Sequence, residues 1–175
     1  MDINIRIGVT SDLCYDTVRN AAYYSSAWDS SGNIKKSDLD FWVDLNGNFL
    51  DIATLSWCYL FGDGKAEFRW QNLIDDEAGF LSEMCQAIGT NEQEFQDYID
   101  TMRTYRDKHV AHRDRYLSDA PKMHYPDLGL AIGSTCFLFG KLQSVYPEIQ
   151  EMVAHSDLND FYKERLEHGK HQYTA

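Results

Sequence analysis

The stretch TYRDKHVAHRD, residues 104–114, gathers side chains that can bind anions and move protons. It holds two arginines and two histidines in a chain whose formal net charge is −12. A guanidinium presents a planar fork of donors that matches the oxygens of a phosphate, and an imidazole gains or loses a proton near neutral pH. This combination is typical of a site that binds an anion and catalyses proton transfer.

The position of Arg106 on its predicted helix supports this interpretation. The sequence predicts a helix capped by Thr90 or Asn91, and at about 100° per residue its apolar side chains form one stripe with Arg106 at the centre. His109 falls about 60° from Arg106, and His112 about 120° from it, at the stripe's edge. Removing a guanidinium from water costs several kcal/mol, so Arg106 needs an acidic partner, a cleft open to solvent or an anionic ligand.

The elements that must position these residues are predicted to be helices. The only prolines are Pro121, Pro126 and Pro147, which leaves the first 120 residues free of the strongest helix breaker. A short alternating piece at Ile3, Ile5 and Ile7 should precede a first helix capped within TSD at 10–12. A second long helix should begin at Ser37 or Asp38 and end at Gly62 and Gly64, with Gly47 as a weak point inside it.

The rest of the chain follows the same pattern. Residues 65–89 predict one or two short helices, and a further helix should run from about YPDLG to Tyr146. Asp157 is predicted to cap a last short helix. We expect a single domain over 1–167 and a flexible tail over 168–175, because the tail lacks apolar residues.

Composition restricts the classes of partner. Lys and Arg together number 16 against 28 Asp and Glu, so the average field repels phosphate backbones, and only a local basic site could bind nucleic acid. The four cysteines are scattered and predicted to be reduced core residues. No secretory signal pattern or membrane span is predicted, so we expect a cytoplasmic protein.

The string RDKHVAH resembles the signature of HEPN domains, in which an arginine is followed by a polar residue and, four to six residues on, by a histidine. Here Arg106 and His112 are separated by five residues and Asp107 is the polar neighbour. The longer string RDKxxAHRD, and FWVDL followed by DIATLSWCYLFGDG upstream, are similar to the abortive-infection branch of that superfamily. The resemblance covers roughly residues 10–146.

The resemblance implies an up-and-down bundle of four to five main helices that dimerises and brings two motifs to one cleft. It implies a candidate metal-independent endoribonuclease of phage defence or of a toxin–antitoxin pair, with RNA as substrate and an antitoxin as a possible partner. His112 would be the general acid or base, Arg106 the phosphate clamp, and Asp107 a support for Arg106. His109 is outside the motif's requirement, and its place in the stripe favours core packing or a dimer contact. No cofactor or metal is implied.

Two alternatives compete with the nuclease. His109 and His112 could bind one metal ion together with Asp107 or a distant carboxylate, although the sequence has neither HExxH nor a Glu-x-x-His pair. The chain could instead be a non-catalytic module that binds RNA, a nucleotide or another protein, with Arg106 and His112 holding a dimer together. The net negative charge favours this second alternative, because it weakens the general attraction for RNA.

Overall fold

A computed structural model describes residues 2–36, 38–111 and 125–174. The prediction of an all-α bundle is confirmed: these ranges contain seven α-helices and no strand. Two of the helices continue directly into a π-helix. The α-helices are α1 (Ile3–Ser26), α2 (Asp40–Trp57), α3 (Glu77–Ala87), α4 (Glu92–Tyr105), α5 (Gly129–Val145), α6 (Ile149–Met152) and α7 (Leu158–Thr174); the π-helices are Cys58–Gly62 after α2 and Arg106–Ala111 after α4; a 3-10 turn spans Trp70–Asn72.

Helix α1 is the centre of the bundle and packs against α2, α5 and α7. It begins earlier than the sequence predicts, because Asp2 caps it with a carboxylate that accepts a 2.8 Å hydrogen bond from the amide of Asn4. The expected cap at 10–12 is therefore wrong, and Thr10 is buried inside the helix. The alternating isoleucines occupy the first turns of α1, where Ile7 is buried and Ile5 is exposed.

Helix α2 contributes one wall of the core. Leu50, Ala53 and Trp57 are fully buried on its inner face, and the indole of Trp57 donates a 3.0 Å hydrogen bond to Oγ of Ser134 on α5. The helix starts at Asp40, slightly later than the cap predicted at Ser37 or Asp38; Ser37 lies outside the described residues. The π-helix Cys58–Gly62, which continues α2, packs against α4.

Helix α4 carries the motif and starts where the sequence predicts. Asn91 accepts from the amide of Glu94 at 3.0 Å, and the Glu94 carboxylate accepts from the amide of Asn91 at 3.4 Å, which forms a capping box. The predicted apolar stripe is confirmed at Phe95, Met102 and Tyr105, which are buried. The short helices expected between 65 and 89 are the Trp70–Asn72 turn and α3.

The C-terminal part of the chain is more ordered than predicted. Asp157 caps α7, accepting a 2.7 Å hydrogen bond from the amide of Asn159. The helix then runs through Thr174, where the sequence predicted a flexible tail from residue 168. Tyr173 explains the difference: its ring is buried, 5.1 Å from the ring of Trp42 on α2. Within the described ranges, no helix combines the length and apolarity needed to cross a bilayer.

Candidate functional site

The motif residues lie on the π-helix Arg106–Ala111, which continues α4 without a break. A π-helix closes its hydrogen bonds between residues five apart and is rare, and it occurs frequently at functional sites. The other π-helix, Cys58–Gly62, continues α2. The two meet, because Cys58 and Arg106 line the same small cleft.

Arg106 is half-buried, with 21% of its side chain exposed. Its Nε donates a 2.8 Å hydrogen bond to Oδ1 of Asp107. The other residues of the cleft, whose volume is about 80 Å³, come from the end of α2 and the turn after it: Leu55, Cys58, Tyr59 and Asp63. The two terminal nitrogens of the guanidinium make no hydrogen bond to any residue in the described ranges.

Charges around the cleft keep Arg106 ionised. The hydrogen bond that Arg106 donates to Asp107 raises the pKa of the guanidinium above its ordinary value, burial opposes this, and Cys58, Asp107 and Asp63 add smaller increases. Burial raises the pKa of the Cys58 thiol to about 12, although the nearby Arg106 pulls that pKa down. Among the described residues, the cleft is therefore lined by one permanent cation, one neutral thiol and one carboxylate, Asp63, while Asp107 is bonded to the cation.

His109 lies on the same π-helix and packs on the last residue of α4. Its ring centroid is 5.3 Å from that of Tyr105. Its Nδ1 is buried and has no hydrogen-bond partner among the described residues. The Tyr105 hydroxyl donates to Oδ1 of Asp51 at 2.7 Å. The imidazole therefore packs against an aromatic side chain that links α4 to α2, which agrees with the packing role favoured for His109.

His112 lies outside the described residues, and its pairing with Arg106 stays a prediction. The structure thus brings together Arg106 and Asp107 and packs His109 against Tyr105. The proton-transfer role of His112 is a prediction from the sequence. The same limit applies to the metal alternative, which needs His112 as a ligand. Among the described residues, no group of three or more His, Cys, Asp and Glu side chains has an arrangement that could hold a metal ion.

Sequence reasoning missed the residues opposite Arg106. Cys58, Tyr59 and Asp63 are more than forty positions away in the chain, and no spacing pattern connects them to the motif. They meet Arg106 only because α2 and α4 end at the same level of the bundle. The string LFGDG, which carries Asp63, indicates the end of a helix, and nothing in it indicates a functional site.

The chain was compared with known proteins in three ways. No family model, no curated protein and no solved structure gave a match.

Proposed function

We propose that the Arg106 cleft binds a phosphodiester and that the chain is a HEPN-like, metal-independent endoribonuclease of the phage-defence or toxin–antitoxin type. The observation that carries the proposal is the state of Arg106: a half-buried guanidinium, anchored through Nε, whose other two nitrogens have no hydrogen-bond partner among residues 2–36, 38–111 and 125–174. Two such nitrogens form an end-on fork that fits two oxygens of one phosphate. Asp107 is a positioning residue in this proposal, because its hydrogen bond fixes the plane of the fork.

The reaction would be cleavage by the neighbouring 2′-hydroxyl. The 2′-oxygen attacks phosphorus as a base removes its proton, the bond from phosphorus to the 5′-oxygen breaks, and an acid protonates that oxygen. The products are a 2′,3′-cyclic phosphate and a 5′-hydroxyl, and no metal or redox partner is needed. Arg106 would stabilise the charge that develops on the non-bridging oxygens. In a homodimer, one His112 would serve as base and the second as acid.

The local charge limits how RNA can bind. Asp63 and Asp107 both lie close to Arg106, and the whole chain carries a net charge of −12. Few phosphates can therefore be neutralised at once, so binding should depend only weakly on salt concentration. A short, single-stranded or looped segment that offers one phosphate to the cleft fits these charges better than a long duplex does.

The experiment is an RNA cleavage assay with the full chain in excess EDTA. We expect cleavage that leaves 2′,3′-cyclic phosphate ends, and its loss in both His112→Ala and Arg106→Lys, because lysine keeps the charge without the fork. Arg19→Lys is the matched control, since Arg19 is an exposed arginine on α1 paired with Asp16. Absence of cleavage of any tested RNA, or equal activity in Arg106→Lys and Arg19→Lys, would contradict the proposal.

A second candidate function, a non-catalytic interaction module, is favoured by the outer face of α2. Apolar side chains recur there at alternating intervals of four and three residues, the spacing found in coiled coils. One position in the series is an asparagine, Asn48. Three of them are strongly exposed: Phe41 at 69%, Ile52 at 42% and Tyr59 at 49%. The face runs from the start of α2 to the Arg106 cleft and comprises Phe41, Leu45, Asn48, Ile52, Leu55 and Tyr59.

Oligomeric state separates the two functions. Light scattering of the wild type, Ile52→Lys and His112→Ala tests whether the α2 face holds a dimer or a partner such as an antitoxin. Cleavage lost in His112→Ala with the dimer intact supports the nuclease. A dimer lost in Ile52→Lys with no cleavage by the wild type supports the interaction module.

A further inference from the structure

An aromatic pocket lies apart from the Arg106 cleft, between α1, α7 and the start of α5. Its volume is about 460 Å³, within the range of roughly 300–1,000 Å³ that is usual for small-molecule sites. Four of the ten residues that line it are aromatic and one is acidic. The aromatic residues are Tyr24, Trp28, Tyr125 and Tyr162, and the acidic one is Asp127.

The rings are arranged as walls of the pocket and not as a flat stack. Tyr24 and Trp28 lie one helical turn apart on α1 and just beyond its end, with ring centroids 5.7 Å apart and an interplanar angle of 71°. Tyr125 is 53% exposed, so much of its side chain remains free for a ligand. Rings that meet near right angles present both a face and an edge to the space between them, which is how proteins surround a methylated ammonium.

The electrostatics of the pocket select for positive charge. The described residues that line it include one carboxylate, Asp127, and no basic side chain. One oxygen of that carboxylate accepts a 2.8 Å hydrogen bond from the amide of Gly129, while the other has no hydrogen-bond partner among the described residues. The faces of neutral aromatic rings are electronegative and attract cations. Tyrosine is neutral at physiological pH, and burial raises the pKa of Tyr24 further, to about 12.

From this arrangement we propose that the pocket between α1, α5 and α7 binds a small organic cation through a trimethylammonium group. Trp28, Tyr24 and Tyr125 supply the ring faces, and Asp127 supplies the balancing charge. The pocket has room for a molecule of the size of choline or larger. The proposal stands independently of RNA cleavage at Arg106, since the two sites share no lining residue.

The experiment compares choline with 3,3-dimethylbutan-1-ol, which has the same shape without the charge, by isothermal titration of the full chain. We expect choline to bind at least about tenfold more tightly than the neutral analogue. A trimethyllysine peptide and its unmethylated form, titrated in parallel, show whether the same group is also accepted on a polypeptide. Equal affinity for choline and its neutral analogue would overturn the proposal. So would a result in which neither choline nor the methylated peptide binds.

Variants locate the binding in the pocket. Asp127→Asn keeps the oxygen that accepts from the Gly129 amide and removes only the charge, and Tyr125→Leu removes an exposed ring, so both should fold. Each should weaken choline binding by roughly tenfold. Tyr59→Leu is the matched control, because Tyr59 is a comparably exposed tyrosine outside the pocket. Choline binding that is unchanged in both pocket variants would also refute the site.

Discussion

The hydroxyl of Tyr105 donates a 2.7 Å hydrogen bond to Oδ1 of Asp51, and this bond joins α4 to α2 at the residue before Arg106. The Tyr105 ring is buried, with 5% of the residue exposed. The start of the π-helix is therefore fixed against α2 by a polar contact as well as by apolar packing. Because Arg106 follows directly, the position of its guanidinium in the cleft depends on this bond.

Replacement of Tyr105 by phenylalanine should lower the free energy of unfolding by about 1–3 kcal/mol. A hydrogen bond to a carboxylate is stronger than a neutral one, and Asp51 would lose a donor in a partly buried place. Urea unfolding measures the change. Tyr59→Phe is the control, because its hydroxyl has no hydrogen-bond partner among the described residues and the side chain is exposed. Equal stabilities of the two variants would show that the bond contributes nothing measurable.

Three tyrosines, one buried and two half-buried, predict a loss of stability in alkali. Burial, followed by the charge of Tyr125, raises the pKa of Tyr24 to about 12 from an ordinary 10.0. Burial and the contact with Asp51 raise the pKa of Tyr105, and burial raises that of Tyr98. The folded state keeps protons that the unfolded chain releases, so this stability is fully present below about pH 10 and falls as the pH rises further.

Urea unfolding at a series of alkaline pH values measures this decline, and absorbance near 295 nm follows the ionisation of tyrosine. Tyr105→Phe should show a shallower decline above about pH 10, because one of the contributing groups is gone. An unfolding free energy that stays constant between about pH 9 and pH 11 would contradict the predicted direction of these pKa shifts.

Gly169 on α7 should not tolerate a larger side chain. A Cβ at this position would overlap Oγ of Ser26 on α1 and lie 2.8 Å from its Cβ. Gly169→Ala should therefore cost about 1–3 kcal/mol, as overpacking usually does. Gly47→Ala is the matched change, because nothing lies within 4 Å of its Cβ position in α2, and it should gain about 0.5–1 kcal/mol from reduced backbone freedom. Thermal unfolding that moves both variants in the same direction would disprove the contact.

The Cys58 thiol should react slowly with alkylating agents. Its pKa of about 12 reflects burial, so only about one thiol in ten thousand is ionised at about pH 8. Arg106→Gln removes the cation that lowers this pKa and should slow the reaction further. Peptide mass spectrometry after timed exposure to iodoacetamide measures the rate, with urea-unfolded protein as the reference. Labelling of Cys58 as fast in the folded as in the unfolded chain would contradict its burial.

Asp107 should tune the affinity of the cleft for phosphate. Asp107→Asn keeps an oxygen that can accept from Nε of Arg106 and removes a negative charge, so RNA should bind a few fold more tightly. Asp107→Ala removes the charge and also the carboxylate oxygen that accepts from Nε of Arg106. This variant should bind RNA more weakly than Asp107→Asn does. Fluorescence anisotropy with a short single-stranded RNA measures both. Asp100→Asn, which removes an exposed charge elsewhere on α4, is the control; an effect equal to that of Asp107→Asn would indicate only a change in net charge.

Local signals in the sequence predicted much of the helical framework. The capping box of Asn91 with Glu94 and the cap at Asp157 are short-range devices, and the structure contains both. The apolar stripe of α4 also follows from helical spacing alone, and Arg106 lies half-buried on it. The helical end of the chain is not predicted because the residues that hold it, Gly169 against α1 and Tyr173 beside Trp42 of α2, form no apolar pattern in the sequence.

The candidate site was less predictable for a physical reason. The residues that face Arg106 belong to α2 and its π-helix, and only the packing of two helices brings them there. The aromatic pocket is similar, because Tyr24, Asp127 and Tyr162 come from three separate parts of the chain. Tyr24 is half-buried on α1 and also lines the pocket, a position that no local spacing in the sequence indicates.

The π-helix at Arg106–Ala111 makes the site sensitive to the length of the chain. An α-helix would complete the same turn with one residue fewer. A single-residue deletion there would let α-helical geometry complete that turn and keep the later positions in place, whereas the same deletion within α4 would rotate them by about 100° about the axis. Insertions and deletions, more than substitutions, therefore decide which side chains of this segment can share a crevice with Arg106.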